Sequence, residues 1–207
     1  MNPQGLKVFD QKILVVGPIY DQIDKVSNRI NWISQHGIII FNGNLTYPHD
    51  DLSQVRERIK IMDDWIQSGK VLYNVGDQDL ILMKKLWDAR EAPDIQAWLR
   101  GRSNVVMINF AKTQSNLIVT AGGVTPQMRL ADLQDNLETS FVTRIGGRPW
   151  HELYGGGLGY IVANNPLTES QPKYYNFSLQ IGNAYSPNVK IYAAHIQSLG
   201  VKEIICL

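Results

Sequence analysis

The side chains with chemical potential in this chain gather where short apolar runs break into glycine. Ile13-Leu14-Val15-Val16 runs into Gly17-Pro18-Ile19-Tyr20-Asp21-Gln22, Ile38 to Phe41 into Asn42-Gly43-Asn44-Leu45-Thr46-Tyr47-Pro48, and Val71 to Val75 into Gly76-Asp77-Gln78-Asp79. Leu117 to Thr120 leads to Ala121-Gly122-Gly123-Val124-Thr125-Pro126, and a last segment reads Ala193-Ala194-His195-Ile196-Gln197. Loops at the carboxyl ends of strands build the ligand site in open α/β sheets, so any ligand chemistry of this chain is expected in these loops. Asp77 and Asp79 suit the start of the helix that follows Gly76, since aspartate caps free N–H groups and complements the positive helix end. Elsewhere Arg144-Ile145-Gly146-Gly147-Arg148-Pro149-Trp150-His151 offers guanidinium forks and a stacking indole, the parts of an anion or nucleotide site, although such loops also carry arginine for solubility and tryptophan for packing.

These loops need strands and helices to position them, and the hydrophobic pattern supplies both. The apolar runs read as buried strands entering loops, continued by strands at 105–110, 117–120, 159–163, 176–182, 189–193 and 201–205. Between them Ile23, Val26, Ile30 and Ile33, then Val55, Ile59, Met62 and Ile66, recur at helical spacing, and further helices are expected at 78–87 and 94–99. Alternating strands and helices predict parallel crossovers in the first part, and the texture after Arg148 predicts mostly β structure. Gly155-Gly156-Gly157 is not a dinucleotide fingerprint, because no strand–glycine–helix unit surrounds it, and is expected to form a turn or a close backbone contact.

With 207 residues and no long linker or repeat, residues 1–207 are expected to form a single domain. Charges nearly balance, 20 Lys+Arg against 19 Asp+Glu, which gives no electrostatic reason to expect nucleic acid or an anionic membrane as partner. A single cysteine, Cys206, cannot form an intrachain disulfide, no signal-peptide pattern follows Met1, and no apolar run approaches the roughly 18–20 residues needed to span a bilayer. A soluble, cytoplasmic protein is the expectation.

In their order along the chain, the five loops resemble the motifs of the calcineurin-like metallophosphoesterases, especially the serine/threonine protein phosphatases and diadenosine tetraphosphatases. The first is similar to Gly-Asp-Ile-His-Gly-Gln, with Pro18 and Tyr20 in place of both metal ligands. The second resembles Gly-Asp-x-x-Asp-Arg, with Asn44 for the bridging aspartate and Pro48 for a phosphate-binding arginine. Gly76-Asp77-Gln78-Asp79 resembles Gly-Asn-His-Glu/Asp, with Asp77 for the asparagine ligand and Gln78 for the catalytic histidine. Ala121 replaces a histidine ligand in a segment similar to His-Gly-Gly-Leu-Ser-Pro, and His195 is the one imidazole kept in a segment similar to Arg-Ala-His or Gly-His-Thr-His. The resemblance implies an α/β fold, a two-sheet sandwich flanked by helices in α-β-β-α layers.

The family's reaction, as the resemblance implies it, uses two divalent metals about 3.5–4 Å apart to activate water and neutralise a phosphoryl oxygen. Here Pro18 and Ala121 bring no donor, Tyr20 brings a phenol, and Asn44 is neutral. The weak metal candidates that remain are Asn44, Asp77 and His195, helped by Asp79, Asp21 or Gln197, enough for at most one oxygen-rich Mn, Mg or Ca site. The degenerate positions Pro18, Tyr20, Pro48, Gln78 and Ala121 remove the activated nucleophile, the leaving-group proton and the charge clamp together, and general acid–base catalysis alone is worth roughly 10²–10⁴-fold. The expectation is a catalytically inactive relative without a cofactor, a binding or regulatory module whose partner is a protein or a phosphate-containing small molecule. The alternatives are a divergent phosphoesterase with one metal and water activated by Asp79 or Asp21, and a metal-free nucleotide pocket that uses Arg148. His195 also reads as a hydrogen-bonded, partly buried histidine, His49 and His151 as surface or loop residues, and Tyr20 as a ring filling the space of the missing metals.

Overall fold

A computed structural model describes residues 4–8, 12–27, 37–135, 144–164, 171–181, 191–197 and 200–207. In chain order the elements are β1 (Gln4–Val8), β2 (Lys12–Val16), β3 (Gly37–Asn42), α1 (Leu52–Gln67), β4 (Val71–Asn74), α2 (Asp77–Ala89), α3 (Pro93–Arg100), β5 (Val105–Phe110) and β6 (Ser115–Thr120). They continue as α4 (Leu130–Asp135), β7 (Arg144–Ile145), β8 (Arg148–Pro149), α5 (Trp150–Leu153), β9 (Tyr160–Ala163), β10 (Lys173–Tyr175), β11 (Ser178–Gln180), β12 (Tyr192–Gln197) and β13 (Gly200–Cys206). A 3-10 turn covers Tyr20–Gln22 and residues 23–27 are helical. The rest of the helix expected through Ile33 lies outside the described residues.

A five-stranded sheet in the order β13-β12-β2-β3-β4 faces a six-stranded sheet in the order β1-β5-β6-β9-β11-β10, and β7-β8 forms a separate ribbon. Side chains alternate along each strand, so every central strand feeds two layers. Ile13, Val15 and Ile40 meet Val106, Ile108, Leu117, Val119, Val162 and Leu179 between the sheets. Leu14, Val16, Ile39, Phe41, Val71 and Tyr73 point the other way, onto Val55 and Met62 of α1, Leu82 and Leu86 of α2, and Ile95 and Leu99 of α3. On the far side Val105, Ile118, Ile161 and Ala163 are covered by Leu133, Trp150 and Tyr154. The architecture is therefore the α-β-β-α sandwich.

β2, β3 and β4 run parallel, as do β6 with β9 and β9 with β11, so parallel pairing extends well past residue 120. The expected strand at 176–182 is instead the second half of a hairpin, β10 and β11, whose turn contains Asn176 and Phe177. Around Gly155 to Gly157 the chain turns, with the Phe177 ring packed against Gly156. Cys206 is exposed and forms no disulfide among the described residues. Among the described residues no helix is long and apolar enough to cross a membrane.

Candidate functional site

The loops after β2, β3, β4 and β6 meet at one end of the sandwich, and four of the five loops singled out in the sequence are brought together there. The loops after β3 and β4 touch backbone to backbone. Gly43 holds φ +41°, and a Cβ on it would lie 2.4 Å from Gly76 Cα. At Gly76 a Cβ would meet Asn44 Oδ1 at 1.8 Å, so both glycines are demanded by close approach.

Asn44 is the hub. Its Nδ2 donates to Asp77 Oδ1 at 2.7 Å and to the Tyr20 hydroxyl at 3.0 Å, while its Oδ1 accepts from Gln78 N at 3.0 Å and Asp79 N at 3.5 Å. Gln78 Nε2 in turn donates to Asp77 Oδ2 at 2.9 Å. Asn44 thereby caps α2 across the loops, taking N–H groups that an anion at this helix start would need. Tyr20 is fully buried and stacks on Tyr47, ring centroids 4.0 Å apart, and Tyr47 stacks on the exposed His49 at 5.3 Å. Tyr20 holds φ +44°, costly for a bulky residue, and burial and stacking of the ring offset that cost. Burial, together with the carboxylates of Asp21 and Asp50, pushes the Tyr47 phenol up to about 12. Tyr20→Phe removes one of two acceptors of the Asn44 amide. It is expected to cost about 0.5–1.5 kcal/mol in urea unfolding, with the stack intact.

Asp79 has a different role from the water-activating one considered for it. Its side chain is fully buried, with Oδ1 accepting from Leu45 N and Thr46 N at 3.0 Å each and from Thr46 Oγ1 at 2.8 Å. Oδ2 accepts from Gly76 N at 2.9 Å and from the Tyr73 hydroxyl, closing a capping box at the start of α2. Burial raises its carboxyl above the ordinary value while these donors pull against the shift. Both oxygens are committed to holding the β3 loop, which leaves no lone pair directed at a water. Asp21 is exposed on the 3-10 turn.

His195 is not brought to Asn44 and Asp77. It lies within β12, antiparallel to β2 and paired with Leu14, three residues short of Gly17, which is about 10 Å down the strand. Its neighbours Ala194 and Ile196 point between the sheets, so His195 faces the helix side, half-buried, across from Glu203 of β13. Burial and the nearby Lys12 hold its imidazole below the ordinary value, opposed by Glu203. The unfolded chain therefore takes up a proton there before the folded one does, and stability from this residue falls as pH drops below about 6.5. A smaller loss of melting temperature between pH 8 and pH 5.5 in His195→Gln than in the unmodified protein is the expected result.

Pro48 offers its carbonyl to Lys85 Nζ at 2.8 Å. The nearby buried cation is Arg58, which the sequence reading passed over although it interrupts the apolar face Val55, Met62 of α1. It is spent on the loop itself, donating to Leu45 O at 2.9 Å and pairing with Asp50 at 2.9 Å. In the last part of the chain, Arg144 donates to Gly147 O, Arg148 pairs with Glu152 at 3.5 Å, and His151 stacks on Tyr175 at 3.8 Å and bonds Gln180.

Beneath the loops lies a polar brace that the motif comparison also missed. Asn42 and Asn74 are register partners at the ends of β3 and β4, both fully buried. Asn42 Nδ2 donates to Thr120 O at 2.9 Å and Asn164 Oδ1 at 3.4 Å, Asn74 Nδ2 donates to Val119 O at 2.7 Å and Asn42 Oδ1 at 3.3 Å, and Asn164 Nδ2 returns to Asn42 O at 2.6 Å. Three carboxamides thus tie the two sheets together directly below Asn44. Ala121, buried beside them, contributes only its carbonyl, to Asn164 N at 3.3 Å.

A dinuclear cage does not fit these residues. Pro18 and Ala121 have no donor atom to give, and Asn44 and Asp77 already share their polar atoms with Tyr20, Gln78 and the start of α2. Among the described residues no three His, Cys, Asp or Glu side chains converge to hold a metal.

The two layered sheets, with the loops of their parallel strands gathered at one end, define the metallophosphoesterase fold. A solved structure provisionally assigned as a diadenosine tetraphosphatase superposes with a TM-score of 0.71 at 16% identity, over 100% of this chain and 98% of that one. A serine/threonine phosphatase from Saccharomyces cerevisiae with similarity to human phosphatase PP5 gives 0.64 at 13% identity, over 99% and 82% of the two chains. The cold-active protein-tyrosine phosphatase of a psychrophilic Shewanella species gives 0.57 at 13% identity, over 100% and 83%. No family model and no curated protein matches the sequence.

Proposed function

We propose that this chain is a metallophosphoesterase-fold protein that does not hydrolyse phosphoesters and serves as a binding or regulatory module for a partner protein. One observation carries the reading: the Asn44 carboxamide joins Tyr20, Asp77 and the N–H groups of α2 into a closed hydrogen-bonded cluster where the resemblance expects metal ligands. The same cluster disfavours this end of the sandwich as a phosphate cradle, because the helix start that would face an anion is already capped. Recognition then falls to the outer surface.

The test is an assay of purified protein with p-nitrophenyl phosphate, bis(p-nitrophenyl) phosphate and diadenosine tetraphosphate, in chelator and in millimolar manganese. Turnover at the blank level in every case, and a melting temperature that manganese leaves unchanged, are expected. Manganese-dependent turnover that disappears in Asp77→Ala overturns the reading and restores the single-metal phosphoesterase.

A further inference from the structure

Among the described residues the surface carries two tryptophan–arginine pairs, and they differ in one respect. In the first, the Arg102 guanidinium lies 4.5 Å from the Trp98 ring centroid, and both side chains donate to one carboxylate: Trp98 Nε1 to Asp63 Oδ1 at 2.9 Å and Arg102 Nη2 to the same oxygen. In the second, the Arg100 guanidinium lies 3.9 Å over the Trp87 ring, and among the described residues no carboxylate joins them. Trp87 is 56% exposed. Lys84, at i−3 on the same side of α2, is exposed and likewise without an ion pair among the described residues, as is Arg90, the left-handed residue that ends the helix. Asp88 and Glu91 are the acidic side chains nearest in sequence, one a quarter turn away and the other past the helix end.

We propose that the face of α2 and α3 around Trp87 and Arg100 docks an acidic peptide segment of a partner protein, whose carboxylate takes the place that Asp63 holds beside Trp98 and Arg102. The chain itself is the template: it contains the completed three-part unit and, on the next face, the same unit lacking its acid. The adjoining groove between α1 and α3, about 450 Å³, is by contrast neutralised from within by Arg56 with Asp94 and Arg102 with Asp63. Tryptophan and arginine are the residues on which binding energy concentrates, and a guanidinium already stacked on an indole loses little freedom when a carboxylate arrives. The helix that presents Trp87 is anchored at its other end by Asn44 and Asp79, so the indole sits on a held element before the partner comes. Arg100 and Lys84 beside one indole, without an ion pair among the described residues, match a short acidic segment rather than a track of nucleic-acid phosphates.

The inference rests on the binding-module reading and is tested separately from it. A fluorescein-labelled decapeptide of Glu, Asp and Leu is titrated into the full chain, with the lysine-for-glutamate peptide and poly(U) as comparisons, while NMR follows the Trp87 indole N–H signal. Binding of the acidic peptide alone, with that signal shifted, is expected. It should weaken with salt, and by about tenfold or more in Trp87→Ala and in Arg100→Glu, both at exposed positions and each checked for an unchanged melting temperature. No shift at millimolar peptide, equal binding by the variants, or tighter binding of poly(U) overturns the proposal. Metal-dependent turnover would remove the non-hydrolytic reading and leave this titration standing; a null titration without turnover would remove this surface alone.

Discussion

Asp79→Ala is expected to lower the unfolding free energy by roughly 3–5 kcal/mol, and the melting temperature by roughly 10 °C. The magnitude follows from what one buried carboxylate holds. Leu45 N, Thr46 N and Oγ1, Gly76 N and the Tyr73 hydroxyl all donate to it, and in the folded protein none of them has water as a substitute. Removing the acceptor leaves several buried donors unsatisfied at once, each worth about 1–3 kcal/mol if nothing relaxes, so partial collapse of the loop after β3 sets the final figure. Asp79→Asn keeps the volume and one acceptor oxygen but turns an amide N–H towards Gly76 N, and an intermediate loss is expected. Urea unfolding of the three proteins decides the matter. A loss below about 1 kcal/mol in Asp79→Ala would mean that the loop is held by Arg58 and packing instead.

The contrast between Asp79 and His195 marks where sequence reasoning reached the site and where it stopped. Glycine-terminated apolar runs placed β2, β3, β4 and β6 and their loops, because a run of buried residues ending in glycine leaves few alternatives to a strand entering a turn. The strand at 105–110 agrees with the structure at both ends, and α2 begins one residue earlier than the expected 78. The capping role of Asp79 is equally legible in the sequence, since it is local. The sequence flanking His195 fits a strand-end motif, whereas its position depends on β12 running antiparallel to β2, a fact of topology that Ala193 to Gln197 do not encode. The β10–β11 hairpin was missed for a related reason: its turn at Asn176-Phe177 contains no glycine or proline and sits inside an aromatic stretch. Asn42 and Asn74 were visible as polar residues at inward positions of β3 and β4, in phase with Ile40 and Leu72. The partners of Asn42 stand 78 residues away at Thr120 and 122 away at Asn164, and Asn74 reaches Val119 45 residues away, beyond any local pattern.

Asn42→Ala is the second change with a large expected effect, about 2–4 kcal/mol, and it bears on how the sandwich end is held in a chain with so few metal ligands. In the family that the sequence resembles, loops from both sheets converge on metal ions. Here the same end is spanned by carboxamides, and Asn42 is their common member, donating to Thr120 O and Asn164 Oδ1 while accepting from Asn74 Nδ2. Its loss orphans a buried carbonyl and opens a void lined by polar atoms, while the apolar contacts between the sheets from Ile13 to Leu179 stay in place, so the protein weakens without unfolding. Asn164→Ala removes the reciprocal donor to Asn42 O and is expected to cost less, since the Asn42 side chain keeps Thr120 O. If the three asparagines act as one brace, the double variant loses less than the sum of the single losses, by roughly 1 kcal/mol. Losses that add within about 0.3–0.5 kcal/mol would instead make each amide an independent bond, and the holding of the site end would then pass to Asp79 and the packing of Tyr20 on Tyr47.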